Sequence, residues 1–129
     1  MSDENDFWTE RLMDRLVRYY LGIHKAFKAL PIPIELPVQQ VGLYADLLPA
    51  VIQAYKILDE EPISQHDMAT ATTVALYWIA GCELTVAYAA SHEAHRADAA
   101  MLQLMAGEGH LGDLLMAARN GYQDPNPDA

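Results

Sequence analysis

Proline placement confines what this chain can fold into. No proline lies between Pro62 and Pro125, whereas the seven residues Pro31-Ile32-Pro33-Ile34-Glu35-Leu36-Pro37 hold three. Proline lacks the backbone N–H and its ring clashes with the preceding turn, so the second stretch cannot be helix interior. It is expected to run as extended, polyproline-like chain, with its isoleucines and leucine laid against the core. The proline-free stretch is open to long helices.

Apolar periodicity fills those windows with helix. From Phe7 to Leu30 the large apolar residues fall at Trp8, Leu12, Leu16, Tyr19, Ile23, Phe27 and Leu30, spacings of three and four that make one stripe. Acidic residues crowd the front of this segment and Lys25 and Lys28 its end, the order a helix dipole prefers. A second stripe runs through Val41, Tyr44, Leu48, Val51 or Ile52, Tyr55 and Leu58, interrupted by Pro49. Either the helix kinks there, or Asp46 caps a new helix whose first turn accepts the proline. Asp59-Glu60-Glu61-Pro62 should end it, because carboxylates oppose the dipole at a C-terminus.

Ser64-Gln65-His66-Asp67 resembles a capping box, with Ser64 as N-cap and Asp67 at the third helical position. The helix that follows is expected to reach about Ala90 or Ala106, with Ser91-His92-Glu93 the favoured break. Gly107-Glu108-Gly109 is expected to stop it, with Gly107 in a left-handed C-cap position. A last short helix is expected over Leu111–Arg119, ended by Asn120-Gly121. No segment alternates in the strand period across neighbouring runs. The fold class is therefore all-α: a small bundle of three long helices plus one short C-terminal helix, with the Pro-rich linker after the first. With 129 residues, 52% hydrophobic and 20% charged, the chain suits a single helical domain over 1–129, with mobile tails at 1–5 and 122–129.

The 23-residue apolar run Met68–Ala90 is long enough to cross a membrane. Its threonines and Glu83, and the lack of flanking Lys or Arg clusters, favour a central helix buried on most of its circumference instead. A single cysteine, Cys82, and an acidic start, Ser2-Asp3-Glu4-Asn5-Asp6, give the expectation of a cytoplasmic protein.

Charge is laid out unevenly. Eighteen acidic against eight basic residues give a net charge of −10, which argues against a general nucleic-acid binder. Five of the eight cations, Arg11, Arg15, Arg18, Lys25 and Lys28, lie in the first helix. Asp14 is the only acid between the first and last of them, so that stretch carries +4 and the remainder −14. Positions 11, 15, 18 and 25, with Gly22 on the same line, form a basic stripe beside the apolar one. Such a stripe is either a solvated face, a dock for an acidic protein segment, a dimer contact to Asp59, Glu60 and Glu61 of another copy, or a phosphate contact.

Motifs for chemistry are weak. His92 and His95, three apart with Asp98 one turn on, could share a helix face and hold Zn²⁺, but the glutamate of a metalloprotease helix and the paired Glu-x-x-His of a di-iron bundle are missing. Glu83 is the only Asp, Glu, Lys or Arg between Asp67 and Glu93, and on a buried face it would need a partner or a proton. No cation or base near Cys82 marks it as a nucleophile. No cofactor and no catalytic residue is expected. The sequence reads as a small acidic interaction protein, an inhibitor, adaptor or assembly factor, expected to be a homodimer since two tryptophans and seven tyrosines exceed what one small bundle needs. The alternatives are a metal- or small-molecule-binding protein with its site between helices, and phosphate or nucleic-acid contact through the basic first helix.

Overall fold

The computed structural model describes residues 3–38 and 46–125. The order of elements is α1 (Asp3–Lys28), α2 (Leu48–Ile57), a 3₁₀ turn (Leu58–Glu60), α3 (Gln65–Ser91) and α4 (Ala94–Asn120). No strand occurs among the described residues. The chain is all-α.

The stripe read on the first segment is the buried face of α1: Leu12, Leu16, Tyr19, Ile23 and Phe27 are all but inaccessible. Two buried hydroxyl and indole groups tie α1 to α3 through main-chain carbonyls. Tyr19 Oη donates to Val74 O at 2.6 Å, and Trp78 Nε1 donates to Leu16 O at 2.9 Å. Each satisfies a polar atom that burial would otherwise penalise. These contacts set α1 antiparallel to α3.

Beyond α1 the chain turns through Ala29 and Leu30, whose N–H groups donate to Ala26 O and Phe27 O, and the Ile34 N–H returns to Phe27 O. Residues 33–38 belong to no helix or strand. Ile34 and Leu36 are buried as expected, whereas Ile32 is exposed. The Tyr20 hydroxyl donates to Pro37 O and holds this strap on α1. The positions Val41 and Tyr44 of the second stripe lie outside the described residues. α2 starts with Pro49 in its first turn, so the kink is not needed. The residue at its N-cap is Leu47 with no side-chain cap bond, not Asp46.

Ser64 does cap α3: its Oγ accepts the Asp67 N–H at 3.1 Å. The box does not close on itself. The Ser64 N–H donates instead to Gln123 O at 2.8 Å, and the Asp67 carboxylate accepts the Gln123 N–H at 2.8 Å. Tyr122 Oη donates to Ala26 O at 2.7 Å. Tyr122 and Gln123, assigned to the tail from the sequence, are thus fastened to both α1 and α3.

α3 ends at the anticipated break, where His92 takes a left-handed backbone (φ 58°) and its N–H closes on Tyr88 O. With only His92 and Glu93 between them, α3 and α4 form an antiparallel hairpin and the most extensive helix pair. α4 lies parallel to α1, and α2 packs on α3. One expectation fails here. Gly107-Glu108-Gly109 does not stop a helix, and no separate helix begins at Leu111: α4 runs through Gly107, Gly109 and Gly112 to Asn120. The short helix is therefore the second, not the last. The glycines cost about 1 kcal/mol each in propensity, which burial of Ala97, Ala100, Leu104, Leu111 and Leu114 along one face outweighs.

Candidate interaction surfaces

The basic stripe of α1 divides into two parts. In its N-terminal half every cation has a partner. Arg11 lies over the Phe7 ring, 5.3 Å from the centroid. Arg18 pairs with Asp14 at 2.8 Å one turn away, both well exposed. Arg15 reaches across to Glu108 of α4 at 3.0 Å, with both side chains partly buried. Lys25 and Lys28, one turn apart at the C-terminal end, are exposed and in no salt bridge among the described residues. Gly22, read as part of the stripe, belongs to the α1–α4 contact: a Cβ there would collide with Leu111. Absence of a side chain, not solvation, explains its place.

Glu83 is not buried. It sits on the outer face of α3, where it helps line a shallow cleft of about 460 Å³ with Thr73, Leu76, Tyr77, Ile79, Ala80 and Gln103. That face is apolar. Leu76 is 44% and Val86 37% exposed, and Ile79 and Ala80 are half-buried. On α4, Leu102 is 66% and Met105 52% exposed. By length and composition α3 could cross a membrane, the only such helix among the described residues, yet 39% of its apolar window is buried against the rest of the bundle.

His92 and His95 are both exposed, and the helix break at His92 separates them. One is the cap of α3 and the other lies in the first turn of α4, so the shared helical face assumed for metal binding does not form. Among the described residues no group of three or more His, Cys, Asp or Glu side chains could hold a metal ion. Burial pushes the Cys82 thiol up to about 12, with the nearby Glu83 carboxylate adding to the shift. A thiol held there stays protonated near neutral pH and is a poor nucleophile.

The burial of two acids, Asp67 and Glu61, was not anticipated. Glu61, read as part of an acidic helix end, is 7% exposed, and its Oε1 accepts the Ile32 N–H at 3.0 Å. Burial raises its pKa, partly offset by that hydrogen bond. It lines a cleft of about 450 Å³ between α2 and the Pro-rich strap. Its partner lies 29 positions back, beyond any local pattern. No family model, curated protein or solved structure matches this chain.

Proposed function

We propose that the protein works by association with other proteins, as a non-catalytic adaptor, inhibitor or assembly factor, and that the outer face of α3 is its self-association surface. The observation that supports this is the exposure of Leu76 and Val86 on a helix where Glu83 is the only Asp, Glu, Lys or Arg from Met68 to His92. An exposed apolar helix face beside a cleft is a usual mark of a contact surface. It also suits a second copy: the net charge of −10 opposes close approach of two molecules, and this face carries one charge per chain. A two-fold contact would set the same face against itself.

Sedimentation across a range of concentrations tests the reading. The parent is expected to sediment as a dimer, and L76K/V86K to sediment as a folded monomer. A parent that is monomeric at all concentrations, and recovers no stable partner from a cell lysate, overturns it.

A further inference from the structure

Where the C-terminal ends of α1 and α4 run side by side, a groove of about 390 Å³ opens between them, within the about 300–1,000 Å³ usual for small-molecule sites. Its walls are Ala29, in the turn that follows α1, and Leu115, Met116 and Ala118 of α4, and its rim holds Lys25 and Arg119. Neither cation is in a salt bridge among the described residues. Gly112 lies in the lining with nothing within 4 Å of where a Cβ would be, so packing does not require glycine there. Its missing side chain leaves the groove open.

We propose that this groove binds a short-chain organic carboxylate, an alkyl tail ending in one anionic group. The argument is charge and shape. In a molecule of net charge −10, two unpaired cations converge on a strip that is otherwise apolar. Arginine presents a planar fork matched to a carboxylate, while lysine adds a second positive charge. A monoanion suits the pair better than a dianion, which the surrounding negative field would repel more strongly. The tail is limited in length, because Gly112 to Arg119 spans about 10 Å of helix. Met116, 53% exposed and flexible, can fold over an alkyl chain. The site shares no residue with the α3 face and stands or falls independently of self-association.

Calorimetric titration with octanoate, below its micellar concentration and at low salt, tests the site, with acetate and octylammonium as comparison ligands. Octanoate is expected to saturate at one site per chain, and acetate and octylammonium are not. The variants K25Q and R119Q are each expected to weaken octanoate by about tenfold, and added salt to weaken binding to the parent. G112L, whose new side chain enters open space, is expected to remove binding while the circular dichroism spectrum is unchanged. No saturation by octanoate, equal binding of octylammonium, or unchanged affinity in folded G112L each overturns the proposal. K25Q and R119Q together keep the test decisive should G112L not fold, because both residues are exposed; unchanged affinity in that pair overturns it too.

Discussion

Gly107 lies against the ring and hydroxyl of Tyr19, and a Cβ at position 107 would overlap that hydroxyl. Tyr19 cannot retreat without giving up its bond to Val74 O. Gly22 against Leu111 and Gly81 against Leu104 are the same kind of contact, at the α1–α4 and α3–α4 seams. Three further glycine positions differ in kind: Gly109 and Gly112 have open space at Cβ, and Gly121 has a positive φ of 87°. Gly107→Ala should therefore destabilise by about 2–3 kcal/mol through overpacking. Gly109→Ala and Gly112→Ala should stabilise by about 0.5–1 kcal/mol each, because alanine is the better helix former. Urea unfolding of the three variants checks the opposite signs.

The clamp between Asp67 and Gln123 predicts a local effect as well as a global one. Asp67→Ala leaves the Gln123 N–H without its acceptor and removes a negative charge from the first turn of α3. A loss of about 1–3 kcal/mol is expected. Hydrogen exchange should accelerate at Gln123 far more than at Leu104 in the core. Equal acceleration at both would mean that the clamp does not hold the tail.

Burial raises the Tyr19 and Tyr122 hydroxyls well above the ordinary tyrosine range and takes Tyr20 up to about 12. The folded state thus holds these protons more tightly than the unfolded chain. Their contribution to stability is whole below the ordinary tyrosine value of about 10 and is lost as pH rises through the raised values. An alkaline transition is expected in which tyrosinate absorbance and loss of helical signal appear together. Cys82 should follow the same opening, unreactive toward an aromatic disulfide in the native protein and reactive once unfolded. Tyrosinate absorbance rising fully before the helix is lost would contradict this account.

Much of this architecture was legible in the sequence wherever a local signal and the tertiary packing agree. The stripe Leu12 to Leu30, the Ser64 cap and the break at His92 are such cases. Gly107 misleads because a glycine reads alike as a helix stop and as a close approach, and only Tyr19, 88 positions earlier, decides between them. Glu83 misleads in the opposite sense: an isolated charge among apolar residues suggests burial, but α3 is apolar on both its buried and its exposed faces. Glu61 hides in an acidic run whose other members are exposed. The division of the basic stripe is likewise a tertiary fact, since it depends on Glu108 lying opposite Arg15.

That division predicts unequal consequences for chemically similar arginines. Arg18 and Asp14 form an exposed pair within one helix, with side chains 70% and 66% accessible, so Arg18→Gln should cost no more than about 0.5 kcal/mol. Arg15 and Glu108 join α1 to α4 and are about two-thirds shielded from water. A double-mutant cycle with Arg15→Gln and Glu108→Gln should give a coupling of about 1 kcal/mol that persists in part at high salt, because partly buried pairs are screened less. The replacement of Arg11, Arg15, Arg18 and Lys25 together by glutamine should then lower stability by about that one coupling and leave the fold intact. Sedimentation of this variant beside the parent separates the cations from self-association. If self-association uses the α3 face as proposed, the oligomeric state is expected to be unchanged; dissociation of a parental dimer on dilution would instead place the cations in the contact between copies.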